Sequence, residues 1–176
     1  MVSTETAFLA LVLVVGVERL VELVVSERNR RWSMARGGVE SGVGHYPVMV
    51  LLHLGLLVGA PLEVYLLGRP FLGWLGWPML ALVLAAQVLR WWCITTLGRQ
   101  WCTRVVVVPG LQPVCGGPYR RLRHPNYLAV AAEGVALPLV HTAWLTALVF
   151  TVADTLLLRV RIATEEAALP LLEPHP

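Results

Sequence analysis

The sequence predicts an all-α, polytopic membrane protein with about five transmembrane helices, the last two forming a hairpin. Three observations carry that prediction. Of 176 residues, 57% are hydrophobic and only 14% charged, against about 45–50% and about 25% in an ordinary soluble domain. The apolar residues fall in long runs, and the mean hydropathy is +0.68. The basic residues, all of them Arg, gather between those runs. At about 20 residues per span, the chain holds at most five or six spans and one domain, residues 1–176.

The first run, Phe8 to Val25, carries no positive segment before it and is expected to persist as a helix rather than as a cleaved signal. Its Glu18 and Glu22 lie four apart on one helical face, which should turn inward or to the interface because a lipid-facing carboxylate pair is costly. A glycine-rich loop, Ser33 to His45, leads to the second run, Tyr46 to Leu67. Gly68-Arg69-Pro70 connects to the third, Leu72 to Trp92, whose Trp91-Trp92 pair suits a membrane interface. The polar stretch Thr95 to Arg123 includes four valines, Val105 to Val108, expected as a short extended segment. The fourth run, Pro125 to Val140, and the fifth, Ala143 to Val160 (the span drawn to about residue 162), make the hairpin. A short polar tail ends the chain.

Arginines set the expected orientation. The first loop carries Arg28, Arg30, Arg31 and Arg36, the third loop five, and the end of the last run Arg159 and Arg161, while Arg69 alone marks the second loop. With five spans, all Arg-rich segments share one side. The N-terminus is then outside, and the large loop and C-terminus are cytoplasmic, in the cell inner (plasma) membrane. This distribution argues against nucleic-acid binding despite the net charge of +3. Cys93, Cys102 and Cys115 form no CxxC, so neither a disulfide framework nor a metal site is expected.

Two polar clusters fall on the cytoplasmic side. Gly116-Gly117-Pro118-Tyr119-Arg120-Arg121-Leu122-Arg123-His124-Pro125-Asn126-Tyr127 combines flexible glycines with a proline suited to a first helical turn. The free N–H groups of that turn favour an anion. In Arg159-Val160-Arg161-Ile162-Ala163-Thr164-Glu165-Glu166, Arg161 and Glu165 share one helical face, and Arg159 and Glu166 another. No Walker loop or GxGxxG is present, so a nucleotide-like cofactor would not sit in a Rossmann domain. Outside the clusters, Glu133 and Asp154 are intramembrane acids, His53 lies inside the second run, and Gln87 and Arg90 on the third run are expected to face the same cavity as the clusters.

The pattern Gly117-Pro118-Tyr119-x-x-x-Arg123-His124-Pro125-x-Tyr127, followed after one hairpin by Arg161-x-x-x-Glu165-Glu166, resembles the isoprenylcysteine carboxyl methyltransferase family of integral-membrane methyltransferases. The earlier segments Arg28-Asn29-Arg30-Arg31-Trp32, Gly44-His45-Tyr46-Pro47, Leu97-Gly98-Arg99-x-Trp101 and Thr103-Arg104-Val105-x-Val107-x-Pro109-Gly110 resemble its bacterial branch, whose members resemble alkylpyrone and phenolic-lipid O-methyltransferases. The resemblance implies S-adenosylmethionine as donor, S-adenosylhomocysteine as product, no metal, and a catalytic part at about residues 97–170 with its cofactor pocket at the cytoplasmic face. It implies that Gly117, Pro118, Tyr119, His124, Pro125, Tyr127 and Glu165 bind the cofactor, and that Arg161 and Glu166 lie nearer the acceptor oxygen. The acceptor would be a lipophilic molecule or lipidated group entering from the bilayer, methylated on a carboxylate or an acidic hydroxyl. Phospholipid or amine N-methylation, a non-enzymatic membrane scaffold and a small transporter using Glu133 and Asp154 are the alternatives.

Overall fold

The computed structural model describes residues 3–172; the end of the polar tail lies outside them. The described chain is mostly helical, with α1 (Thr4–Met34), α2 (Tyr46–Leu67), α3 (Gly73–Leu97), α4 (Pro125–Leu139) and α5 (Trp144–Ala168). Two helical stretches, Val43–Leu67 and Gly73–Gln100, are long and apolar enough to cross a membrane.

The first apolar run is only part of α1. Ser3 caps the helix by accepting from the Thr6 amide at 3.2 Å. At the other end the helix passes through the segment expected as loop, because Glu27 pairs with Arg30 at 2.8 Å and Arg31 at 2.9 Å along the helix surface. Helix α5 likewise runs beyond its predicted end to Ala168, so Arg161, Glu165 and Glu166 all stand on regular helix.

The all-α expectation needs one correction. The valine segment is extended as expected, but it pairs: β2 (Val105–Val107) runs antiparallel to β1 (Val39–Ser41), with Glu40 opposite Val106. Strand β1 comes from the glycine-rich loop, where the sequence carries no strand signal. Arg104 reinforces the pairing through Glu40 at 2.7 Å.

Helix α3 lies along α4, and α5 packs against both α4 and α2. Phe8, Val12, Leu56, Val64, Val83, Leu137 and Phe150 form the core between them. At Gly134 a Cβ would lie 2.0 Å from the Phe150 ring, so glycine there lets α4 and α5 approach closely. The start of α5 is capped from another helix. Glu63 of α2 accepts from the Leu145 and Thr146 amides at 3.1 and 2.7 Å, placing a carboxylate at the positive helix end. Arg69 holds the same carboxylate at 2.8 Å.

A buried polar network joins α1, α3 and α4. Glu22 accepts from Arg90 at 2.6 and 2.9 Å and from Arg19 at 2.5 Å. Arg19 also reaches Glu133 at 2.6 Å and Gln87 at 2.9 Å. Gln87 and the Trp91 indole both donate to Glu18. The Glu18–Glu22 face of α1 therefore turns into the protein, where each carboxylate finds donors.

Candidate functional site at the junction of two cavities

Pro125 occupies the first turn of α4, and His124 precedes it in a non-helical conformation (φ −131°, ψ 61°). The His124 side chain makes no cap hydrogen bond. One turn on, the Tyr127 ring stacks on the imidazole with centroids 5.5 Å apart. Helix α5 supplies the facing groups. Glu165 lies 3.7 Å from His124 Nδ1, and Glu166 lies 3.4 Å from His124 Nε2. Glu166 also pairs with Arg123 at 3.2 Å.

Arg161 stands one turn before these acids and is 5% exposed. Its Nη2 donates to the Thr103 carbonyl at 2.5 Å, its Nε to the Tyr127 hydroxyl at 3.3 Å, and its Nη1 lies 2.8 Å from Met49 Sδ. The Tyr127 hydroxyl in turn donates to Glu165. Tyr127 is thus the link between a buried guanidinium and a half-exposed carboxylate. Among the described residues no ion pair includes Arg161.

Two cavities meet at this point. The first, about 230 Å³, has aliphatic walls from α1, α2 and α5, including Leu20, Leu23, Leu54, Leu57, Leu157 and Leu158. Leu20 and Leu54 are 63% and 54% exposed, so the cavity opens sideways between α1 and α2. Its polar lining includes Arg19, Glu22, His53, Arg90 and Asp154. The second, about 240 Å³, is walled by Leu97, Val105 to Val108 and Leu111 and carries Tyr119, Arg123, His124 and Glu165. Trp101, Asn126, Tyr127 and Arg161 line both. The Trp101 Nε1 and Asn126 Oδ1 atoms are buried there without partners.

Of the residues singled out in the sequence, His124, Tyr127, Arg161, Glu165 and Glu166 are brought together, with Tyr119 on the wall of the second cavity. Burial pushes the Tyr119 hydroxyl above its usual range, which keeps it a donor at ordinary pH. Pro118 and Pro125 are buried and shape the loop. Gly117 lines neither cavity. It has φ +53°, and a Cβ there would meet Thr96 Oγ1 at 2.5 Å, so glycine lets the loop seat on α3. Glu166 turns to Arg123 and His124 and lines neither cavity, whereas Glu165 is the acid joined to Arg161 through Tyr127.

Sequence reasoning gave no role to Met49, Thr103 or Asn126. Asn126 and Thr103 had local signals, their places inside His124-Pro125-x-Tyr127 and Thr103-Arg104-Val105, while Met49 had none. Asp154 was left outside the site, yet it lines the first cavity. His53 donates from Nδ1 to the Met49 carbonyl, 2.9 Å away, and packs edge-on against Phe150. Since a carbonyl only accepts, Nδ1 carries the proton. His141 packs against Phe8 and Phe71, so the two histidines have separate surroundings. Glu133 is tied to Arg19 within the polar network. His45 sits at the end of the turn before α2. Among the described residues no cluster of three His, Cys, Asp or Glu has a metal-binding arrangement.

A model of the isoprenylcysteine carboxyl methyltransferase (ICMT) family matches residues 79–170. The chain is 35% identical over 163 residues to "Uncharacterized protein YpbQ" of Bacillus subtilis, covering 92% of this chain and 96% of that protein. It is 28% identical over 159 residues to an "Uncharacterized protein" of Haemophilus influenzae, covering 89% and 91%.

Proposed function

The chain belongs to the isoprenylcysteine carboxyl methyltransferase family, and from that membership and the adjoining cavities we propose that it is an S-adenosylmethionine-dependent O-methyltransferase of a lipophilic acceptor. Membership itself implies a membrane methyltransferase. The observation that carries the finer reading is the place of Arg161. It is a buried cation, outside every ion pair of the described residues, on the boundary between an aliphatic cavity and a more polar one.

The residues of the second cavity fit the cofactor. Glu165 suits its cationic end, while Arg123 and His124 suit its carboxylate. The aliphatic wall suits a purine, and the unpartnered Trp101 indole and Asn126 amide offer hydrogen bonds. When bound, S-adenosylmethionine supplies an electrophilic methyl group on a sulfonium. Everything else falls to the chain. The first cavity takes the apolar body of the acceptor and excludes water. Arg161 holds an anionic oxygen, carboxylate or ionised hydroxyl, at the boundary by charge-assisted hydrogen bonding. Tyr127 fixes Arg161 relative to Glu165 and so aligns the two occupants, the contribution that dominates in direct displacements. The same residues would hold S-adenosylhomocysteine.

An ammonium acceptor would meet the Arg161 cation, which disfavours N-methylation. Transport through Glu133 would require breaking its 2.6 Å ion pair with Arg19. In this reading the five helices are all spans of one domain, residues 1–176, with the N-terminus outside and the catalytic part, about 97–170, facing the cytoplasm at the inner membrane. Charges keep α1 and α5 from being continuously apolar, but Glu18, Arg19, Glu22 and Asp154 are buried or partnered within the protein.

Calorimetric titration of the detergent-purified protein with S-adenosylhomocysteine tests the proposal. Saturable micromolar binding is expected, weakened at least tenfold in His124→Ala and Glu165→Ala without loss of fold. Absence of binding by the folded wild-type protein would overturn it.

A further inference from the structure

Among the described residues the buried acids are partnered, with one exception. Glu22 is held by Arg90 and Arg19, Glu133 by Arg19, and Glu63 by Arg69 and the start of α5. Asp154 is 2% exposed, its Oδ1 has no hydrogen-bond partner, and no ion pair among the described residues includes it. It stands on the wall of the first cavity. Nor is it isolated in this. Six buried side-chain polar atoms among the described residues lack partners; two of them, on Arg19 and Asp154, belong to residues that line this cavity and not the second.

An apolar cavity that strands donors and acceptors on its wall is shaped for an occupant that supplies the complements, because unpaired buried polar groups are costly. Asp154 precedes Arg161 by seven residues on α5. That is two turns, about 10 Å along the axis and nearly the same face.

We propose that Asp154 is a specificity-determining residue that accepts a hydrogen bond from a protic group of the methyl acceptor. The inference rests on the methyltransferase reading above. The acceptor is then not a hydrocarbon tail on a single reacting oxygen. It carries a second polar group, a hydroxyl or N–H, within about two helical turns of the oxygen held by Arg161.

The test uses the full-length protein in detergent, labelled S-adenosylmethionine, and a total lipid extract of the native host as the acceptor source. Wild type, Asp154→Leu and Asp154→Asn are compared in three readouts. Asp154→Leu should melt no lower than wild type, since it removes an unpaired buried carboxyl, and should bind S-adenosylhomocysteine unchanged. The extract concentration giving half-maximal transfer should rise at least tenfold. Asp154→Asn, which retains an acceptor oxygen, should fall between. Mass spectrometry of the labelled product, with and without acetylation, should reveal a protic group besides the methylated oxygen.

Transfer by Asp154→Leu with the wild-type extract dependence would overturn the proposal, as would a product with no further protic group. A lowered melting temperature with parallel loss of S-adenosylhomocysteine binding would assign Asp154 a structural role instead. If wild type binds no S-adenosylhomocysteine and labels no lipid, the methyltransferase reading falls and takes the proposal with it.

Discussion

Arg161 and Tyr127 concentrate what is specific to this site. The Arg161 guanidinium is held by a carbonyl, a hydroxyl and a thioether, none of which carries a compensating negative charge. Lysine would retain the charge but not the planar fork that reaches three partners at once. Arg161→Lys should therefore lower methyl transfer by at least tenfold, while S-adenosylhomocysteine binding changes less than threefold; single-turnover kinetics beside calorimetry separates the two effects. The residue types were legible in the sequence, since His124, Tyr127, Arg161 and Glu165 all belong to its two polar clusters. Their division of labour was not. Glu165 and Glu166 are adjacent, and helical spacing pointed them to different sides; only the position of Tyr127 on α4 decides that Glu165 is joined to Arg161.

At the scale of elements, the site depends on how α5 is set against its neighbours. Its start is anchored by the Glu63 carboxylate of α2, and the preceding turn by the Thr142 hydroxyl, which donates to the Pro70 carbonyl at 2.7 Å. Thr142 takes φ 54° there, an uncommon conformation for a side-chain-bearing residue. Glu63→Ala removes a cap and leaves two helix amides and Arg69 without their acceptor. It should destabilise the protein by about 1–3 kcal/mol, the range for a lost cap or an unpaired buried donor, measured as a fall in the melting temperature in detergent. Helix existence was readable from apolar runs, and α2 fell where the run predicted. Helix ends were less so: α1 continues through residues whose ion pairs let a polar segment stay helical. Strand β1 had no local signal, since its pairing energy comes from Val105 to Val107, distant in the chain.

Across the whole molecule, two apolar helices and a buried charge network are arranged around one sideways-opening cavity. The proposed orientation has a direct check in the native cysteines, since Cys115 is exposed and Cys93 buried. In a Cys102→Ser background, a membrane-impermeant maleimide should label Cys115 in inside-out vesicles and not in intact spheroplasts; labelling in spheroplasts would invert the topology. The sequence by itself determined the helical class, the number of apolar runs, the family and the residues gathered near the site. Those follow from composition, run length and local motif, all of which are properties of contiguous chain. Only the tertiary structure decided that Glu18 and Glu22 meet Arg90 and Gln87, that Glu166 lies off both cavities, and that Asp154 stands unpartnered on the wall of the first. Each of those is a contact between helices, set by how their faces pack, and no period along a single segment encodes it.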